Sequence, residues 1–263
     1  MRVLVLSQHF WPENFPVLEA ETRRLHAAGL DVRVLTGKPN YPDGRIFPGW
    51  RAGGTLTQDW DGIPVHRVPL VPRGRGGALR LVANYASFLS AAWALGPGLL
   101  RGWRPDIVFT FASSPILQAI AANRIARRAG GRSVIWVQDL WPESLSATGF
   151  VTSPAALRAV ERLVARIYRA ADLVLVQSPA LVAPVARLAG PTPVAVHPNP
   201  GDPALLDPPH AGAPLVPLPP GFAIVFAGNL GRAQGLPAII EAAALTADQP
   251  AIQWVLEIGR AHV

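Results

Sequence analysis

The sequence predicts an α/β protein built on a doubly wound parallel sheet. Short apolar segments, typical of strands buried on both faces, alternate with longer segments of helical periodicity. This alternation is typical of right-handed βαβ units. At 263 residues, with 50% hydrophobic residues, the chain is long enough for one large domain, or for one domain and part of another.

The predicted elements follow one another along the whole chain. A helix over 16–28 follows the first strand, and Gly29 ends it. Pro64 places the third strand at an edge of the sheet, and Gly96-Pro97-Gly98 ends the long second helix. The predicted strands are 2–6, 31–36, 63–68, 106–110, 133–137, 173–176, 194–197, 222–227 and 254–256, and the predicted helices are 16–28, 79–95, 115–129, 155–170, 179–189 and 237–246.

Composition limits the classes of function. The chain has no cysteine, which excludes a disulfide scaffold, a cysteine metal site and a thiol nucleophile and fits a cytosolic protein. Residues 3–6 are too few for the apolar core of a signal peptide. The formal charge of +7 comes almost entirely from arginine and is compatible with anionic partners. A basic nucleic-acid-binding module is one alternative, but it needs basic and aromatic residues clustered on one face, and the arginines here are spread over several elements.

Residues 81–100 carry no charge and raise the question of a membrane span. Asn84, Tyr85 and the Gly96-Pro97-Gly98 break leave too short a continuous apolar helix, so we expect a helix packed on the sheet. A shallow membrane contact is the alternative, and any membrane association is expected to be peripheral. The flanking basic residues are Arg73, Arg75, Arg80, Arg101 and Arg104.

One phrase occurs twice at predicted strand ends. Gln8-His-Phe-Trp-Pro-Glu13 and Gln138-Asp-Leu-Trp-Pro-Glu143 share their Gln, Trp, Pro and Glu residues. The start of a helix explains the proline and the glutamate but not the glutamine, the tryptophan or Asp139. The phrases therefore predict a site, whereas Ser114-Pro115 and Ser178-Pro179 are interpreted as helix starts.

Asp139 is the predicted catalytic carboxylate. It follows a buried strand, where it could orient an acceptor hydroxyl or stabilise a developing positive charge. The alternative interpretation is an N-cap for the following helix.

The loop over 37–44 follows the second strand and contains Asn40 and Tyr41. Its turn-forming residues fit an ordinary surface loop, and its length and position fit a substrate loop. Because parallel strands end at one edge of the sheet, we expect Glu13, Asn40 and Tyr41 to line the same cleft as Asp139 and Glu143.

A second unit follows a proline-rich linker. The predicted strand 222–227 leads into Gly228-Asn-Leu-Gly-Arg-Ala-Gln-Gly235, where backbone N–H groups at a helix N-terminus could approach a phosphate. The predicted organisation is a first domain over 1–198, a linker over 199–221, the first βαβ of an incomplete second Rossmann-like domain over 222–256, and a non-native tail over 257–263.

Four motifs carry a resemblance to a known family. Asn40-Tyr-Pro, Asp139-Leu-Trp-Pro-Glu143, Pro198-Asn199 and the 228–236 segment together resemble the family 4 glycosyltransferases, in particular the WbuB-like branch, over nearly the whole chain. The resemblance implies a GT-B fold with two Rossmann-like domains, a nucleotide diphosphate sugar donor, and a lipid-linked or saccharide acceptor. It also implies retention of anomeric configuration, no metal or other cofactor, and a role in O-antigen, capsule or exopolysaccharide synthesis at the inner face of the cytoplasmic membrane.

The resemblance also assigns residues to the two substrates. Many relatives carry Arg and Lys where this chain has Asn229 and Gln234, so Arg232 would supply the charge that neutralises the diphosphate. The acceptor-binding residues would be Glu13, Asn40, Tyr41, Trp141 and Glu143, and the donor-phosphate residues would be Gly228, Asn229, Gly231, Arg232, Gln234 and Gly235.

The second domain of the family continues beyond the length of this chain and contains a pair of glutamates that hold the donor sugar. Residues 258–263 resemble a translated sequencing adapter, so we expect an interrupted reading frame and no sugar transfer by this chain alone. The alternative enzyme function is a GT-B-fold epimerase that acts on a nucleotide-sugar.

Overall fold

The computed structural model describes residues 1–74, 77–149, 151–201, 218–228 and 234–258. The chain forms two compact units. The first comprises Met1–Ser144 and Ser153–Asp202, and the second comprises Leu145–Thr152 and Pro203–Val263.

The first unit is built on an eight-stranded sheet in the order β3-β4-β2-β1-β5-β6-β7-β8. Every neighbouring pair is parallel except β3 with β4. The predicted α/β class with a doubly wound parallel sheet is therefore confirmed. The strands are β1 (Arg2–Leu6), β2 (Asp31–Thr36), β3 (Leu56–Trp60), β4 (Ile63–Arg67), β5 (Ile107–Ala112), β6 (Arg132–Val137), β7 (Leu173–Val176) and β8 (Val194–Val196).

Helices cover both faces of this sheet. Successive side chains of a strand point to opposite faces, so Val3 and Val5 join one apolar cluster with Leu18, while Leu4 and Leu6 join another with Phe88. This arrangement explains why the strands are apolar without alternation. The helices up to residue 189 are α1 (Pro16–Ala27), α2 (Ala78–Leu99), α3 (Gln118–Ala129), α4 (Glu143–Ala147), α5 (Pro154–Arg169), a 3₁₀ turn (Pro179–Leu181) and α6 (Val182–Ala189).

The predicted end of the second helix at Gly96 is wrong, because α2 continues to Leu99. A Cβ on Gly96 would lie 3.0 Å from Leu35 Cδ2 and 3.1 Å from Ile125 Cδ1, so the glycine allows the helix to pack closely on the sheet and on α3. Pro97 cannot donate to the carbonyl four residues earlier, at Trp93. That carbonyl accepts a hydrogen bond from Arg124 Nη1 instead.

The predicted edge position of the third predicted strand is also wrong. That strand is β4, and β3 pairs with it as an antiparallel edge strand across the Asp61-Gly62 turn. Pairing of β4 with β2 begins only at Val65, so Pro64 removes no hydrogen bond from the parallel ladder. The exposed and polar β3 was not predicted.

The described part of the second unit includes two parallel strands and the helix between them, as the sequence predicts. These are β9 (Phe222–Gly228), α7 (Leu236–Leu245) and β10 (Ile252–Ile258). The Trp254 indole donates to Thr246 Oγ1 at 2.9 Å and so ties the second strand to the end of the helix. Across the described residues of both units, no helix combines the length and the apolar character that a membrane crossing requires.

Candidate functional site at the carboxyl edge of the sheet

The strand order reverses direction between β1 and β5, because the chain runs outward from β1 through β2 on one side and from β5 through β6 on the other. Open α/β sheets bind their ligands at such a switch point, beyond the carboxyl ends of the strands. A cavity of about 250 Å³ lies there. It is lined by His9, Phe15, Asn40, Tyr41, Arg73, Leu81, Asn84, Tyr85, Ser113, Ser114 and Asp139.

Asp139 lies on this cavity and holds the loop that follows β5. Its Oδ2 accepts hydrogen bonds from the backbone N–H and from the hydroxyl of Ser114, both at 3.0 Å. The Trp141 indole donates to the same hydroxyl at 3.1 Å. Asp139 precedes α4 by four residues and bonds to a neighbouring loop, so the N-cap interpretation is wrong. Among the described residues, its Oδ1 has no hydrogen-bond partner.

Ser114 is not a helix cap either, because α3 begins at Gln118 and the Ser114 hydroxyl faces Asp139. Gln118 instead connects neighbouring strand ends: its Oε1 accepts from Gln8 N at 2.6 Å and its Nε2 donates to Phe111 O at 3.0 Å. Ser178 does cap the 3₁₀ turn after β7, since its hydroxyl accepts from Ala180 N.

Glu13 is buried behind the cavity and does not line it. Its Oε1 accepts from the backbone N–H groups of Asn40 and Tyr41 at 2.8 and 2.7 Å, and it lies 3.1 Å from His9 Nδ1. Its Oε2 accepts from Phe10 N at 3.1 Å. The carboxylate thus ties the loop after β1 to the loop after β2 and fixes the position of Tyr41.

The repeated phrase therefore binds a neighbouring loop at two strand ends, through different residues in each copy. In the first copy Glu13 binds the loop after β2, and α1 begins only at Pro16. In the second copy Asp139 and Trp141 bind the loop after β5. The peptide bonds that precede Pro12, Pro42, Pro115 and Pro142 are all cis.

Aromatic rings form one wall of the cavity. His9 stacks on Phe15 with 5.3 Å between ring centroids, and Tyr41 is tilted against both at 5.4 Å. Arg73 donates to Pro42 O at 2.9 Å and lies 5.9 Å from the Tyr41 ring. Burial, with smaller contributions from Asp139 and Tyr41 and partial opposition from Arg73, raises the pKa of Tyr85 to about 12. Tyr85 is therefore a neutral hydroxyl at physiological pH.

These groups suit a ligand that carries several hydroxyls. Flat aromatic faces can pack against a sugar ring, and Asp139 Oδ1 can accept a hydrogen bond from a ligand hydroxyl. Asn84 is committed to the protein, since it accepts from Gln8 Nε2 at 2.6 Å and donates to Val71 O at 2.7 Å. Asn40 donates to Lys38 O at 3.0 Å and is among the residues that line the cavity.

The other predicted site residues lie elsewhere. Trp141 is buried and Glu143 is exposed at the start of α4, and neither lines the cavity. In the second unit Gly228 ends β9, Gln234 is exposed, and Gly235 has a left-handed φ of 65° just before α7. The predicted donor-phosphate residues Asn229, Gly231 and Arg232 lie outside the described residues.

Several cavity residues were missed from the sequence. Ser114 was interpreted as a helix start, Arg73 as part of a flexible basic segment, and Tyr85 only as a polar interruption of an apolar helix. The pair Asn84-Tyr85 was the available indication, because polar residues on a helix that packs against a sheet require a partner. No group of three or more His, Asp or Glu residues in the described ranges is placed to hold a metal ion.

A doubly wound sheet with a polar cavity at its switch point defines a ligand-binding Rossmann-like domain. Residues 16–200 match the family described as glycosyl transferase 4-like domain, and the chain belongs to this family. No curated protein sequence gives a significant match.

Solved structures with a similar fold include an E. coli structure described as trehalose-6-phosphate bound with UDP-2-fluoro glucose. Its identity to this chain is 14% and the TM-score is 0.61, over 100% of this chain and 66% of the other. The glycotransferase of kitacinnamycin (14%, TM-score 0.54) and Arabidopsis thaliana UGT89C1 complexed with UDP (14%, TM-score 0.53) each match over 98% of this chain and 66% of their own. The chain thus spans just under two thirds of these proteins. At such identities the likeness concerns the fold alone, and it agrees with the predicted Rossmann-like GT-B architecture.

Proposed function

We propose that the chain is part of a glycosyltransferase that moves a sugar from a nucleotide diphosphate sugar to a lipid-linked or saccharide acceptor. The observation that carries this proposal is the cavity at the switch point, which Asp139 lines beside aromatic rings. Membership of the glycosyl transferase 4-like family supports the reaction class. The descriptions of similar folds with UDP or UDP-2-fluoro glucose support a nucleotide-linked donor.

The cavity would bind the acceptor. One face of the acceptor sugar would pack on Tyr41 and Phe15, and its reacting hydroxyl would donate to Asp139 Oδ1. Ser114 holds the other carboxylate oxygen, so Asp139 is oriented before the acceptor binds. Such pre-orientation lowers the entropic cost of placing the hydroxyl for reaction. Glu13 would act indirectly, by fixing Asn40 and Tyr41.

The donor diphosphate would bind in the second unit between the end of β9 and the start of α7. Gly228, Gln234 and Gly235 belong to this connection, and its other proposed ligands are Asn229, Gly231 and Arg232. A glycine-containing loop before a helix N-terminus presents backbone N–H groups to a phosphate. We propose that no metal or other cofactor takes part and that transfer proceeds with retention.

A lipid-linked acceptor would bring the protein to the inner face of the cytoplasmic membrane, in the synthesis of O-antigen, capsule or exopolysaccharide. Leu79 and Val82 are exposed on the first turns of α2, close in sequence to Arg73 and Arg80. Apolar side chains beside cations are suited to shallow, salt-sensitive contact with anionic lipid.

Acceptor binding tests the proposal most directly. A soluble saccharide analogue of a lipid-linked acceptor is titrated into the chain, and binding is followed by NMR saturation transfer. Asp139→Asn removes a charge-assisted hydrogen bond worth about 1.5–3 kcal/mol, so we expect the Kd to rise about 10- to 100-fold. Glu161→Gln, on the distant helix α5, is the control and should leave the Kd unchanged.

The proposal fails if no saccharide binds, or if Asp139→Asn binds as tightly as the unmodified chain while its thermal unfolding is also unchanged. In a longer member of the family that transfers sugar, NMR of the product tests retention separately, and an inverted anomeric centre would contradict it. Sugar conversion without any acceptor would instead indicate an epimerase.

A further inference from the structure

A second cavity lies beyond the carboxyl end of β2, on the side of the β3–β4 hairpin. Its volume is about 640 Å³, and it shares no lining residue with the cavity that contains Asp139. It is lined by Lys38, Gly49, Trp50, Arg51, Gly53, Gly54, Thr55, Leu56 and Gln58. The residues 49–56 of this set belong to one segment that leads into β3.

Lys38 is the single lysine of the chain, and only 4% of it is exposed. Among the described residues its ammonium makes no hydrogen bond or ion pair. The Lys38 stem is enclosed, but its ammonium nitrogen is not among the fully buried polar atoms that lack a partner, so the charged group reaches the cavity that Lys38 lines. Burial first, and then the nearby Arg67 guanidinium, lower the pKa of Lys38.

Arg67 is also fully buried, but its guanidinium is satisfied by the protein. It donates to Gly37 O at 3.0 Å, to Gln58 Oε1 at 3.1 Å and to Trp11 O, and it lies 4.7 Å from the Trp50 ring. Two cations therefore lie close together, and Lys38 is the one that lacks a partner.

Glu13, the carboxylate whose charge acts on Arg67, makes no ion pair with Lys38. Glu13 raises the pKa of Arg67 by its charge, although burial has the larger effect and brings that pKa down to about 10. Both oxygens of Glu13 are already bonded to backbone N–H groups of the loops that follow β1 and β2.

The rest of the cavity is suited to an anion. Arg51 is exposed on its lining, where it adds a second available cation to Lys38. Gly54 has a φ of 69°, and a Cβ placed there would meet no atom within 4 Å, so the backbone is open to an incoming group. The Trp50 ring, held against Arg67, forms an apolar wall on which the body of an organic ligand can lie.

We propose that this cavity binds a phosphate group, either as inorganic phosphate or as the ester of a small sugar phosphate. Lys38 would bind it from the buried side and Arg51 from the exposed side. A doubly charged oxyanion matches two cations, and a charge-assisted hydrogen bond would give the Lys38 ammonium the partner it lacks. This site does not depend on the proposed transferase reaction.

Thermal unfolding of the chain tests the proposal. Inorganic phosphate and glucose 1-phosphate are added at constant ionic strength, with sodium chloride as the reference. Both should raise the Tm, because a ligand that binds only the folded state stabilises it. A higher affinity for glucose 1-phosphate identifies the ester as the ligand, and equal affinities identify phosphate itself.

Variants assign the effect to the site. Lys38→Met should abolish the phosphate-dependent rise in Tm, Lys38→Arg should retain most of it, and Arg51→Gln should reduce it. Arg45→Gln is the matched control, because Arg45 is exposed in the same connection but does not line the cavity.

In chloride alone Lys38→Met should unfold at the same temperature as the unmodified chain or higher, because it removes a cation that lies near the buried Arg67 guanidinium. If Lys38→Met does not fold, the phosphate-dependent rise in the Tm of Arg51→Gln tests the site instead. No phosphate-specific rise in Tm, or an unreduced rise in Lys38→Met or Arg51→Gln, would overturn the proposal.

Discussion

Glu13→Gln should strongly destabilise the first unit although it changes only one side-chain atom. The carboxylate accepts from three backbone N–H groups, at 2.7, 2.8 and 3.1 Å, and no water replaces it because only 1% of the residue is exposed. The amide nitrogen of glutamine would face at least one of these donors and leave it unsatisfied, at a cost of about 1–3 kcal/mol. The buried Arg67 would also lose the nearby negative charge that raises its pKa. Both effects act in the same direction, so we expect a total loss of at least about 1–3 kcal/mol.

Urea unfolding of Glu13→Gln followed by tryptophan fluorescence measures this loss. Glu161→Gln is the matched control, because its ion pair with Arg187 is on the surface and should contribute less than about 1 kcal/mol. Tyr41 should also become more mobile, and saccharide binding should weaken in proportion to the lost loop order. A free energy of unfolding within about 0.5 kcal/mol of the unmodified chain would refute the account of Glu13 as a structural clamp, because that is the size of a neutral surface change.

Two further predictions concern the part of α2 around Pro97, and both are tested by urea unfolding. Gly96→Val should destabilise by about 1–3 kcal/mol because its side chain would overpack the interface with the sheet, whereas Gly98→Ala should stabilise by about 0.5–1 kcal/mol because its Cβ enters open space. A Gly96→Val variant that is more stable than Gly98→Ala would contradict the close packing of α2 at Gly96. Arg124→Met should cost about 0.5–1.5 kcal/mol, since it removes an exposed hydrogen bond to the Trp93 carbonyl, and the exposed Arg127→Met on the same helix should be nearly neutral. Equal stabilities of these two arginine variants would show that water satisfies the carbonyl equally well.

The sequence by itself determined the order and type of most elements. The sequence predicts β1, β2 and β7 with their observed bounds. Residues 3–6 of β1 and all of β7 are apolar, as expected for strands buried on both faces, whereas β2 carries Asp31 and Arg33 near its start. The same pattern placed Asn40, Tyr41 and Asp139 at strand ends. In a parallel sheet these ends share one edge, and the three residues line one cavity.

Only the tertiary structure decided which side chains meet. Asp139 and Ser114 are 25 residues apart in sequence, and they come together because β5 and β6 are neighbours in register. No local pattern contains that information, so Ser114 resembled a helix cap. The continuation of α2 beyond Pro97 also depends on a tertiary contact. Arg124 on α3 donates to the Trp93 carbonyl, which Pro97 cannot do because it has no backbone N–H.

Burial of charge was likewise decided by the tertiary structure. In the sequence Lys38 belongs to a loop of turn-forming residues and Arg67 to a short strand, and both resemble ordinary surface cations. Pairing of β4 between β3 and β2 encloses Arg67, and the segment before β3 lines one cavity together with Lys38. Hydrophobic periodicity is a local property that selects an element and its buried face. The partner of a polar group depends on strand order and loop path, which emerge only when the whole chain packs.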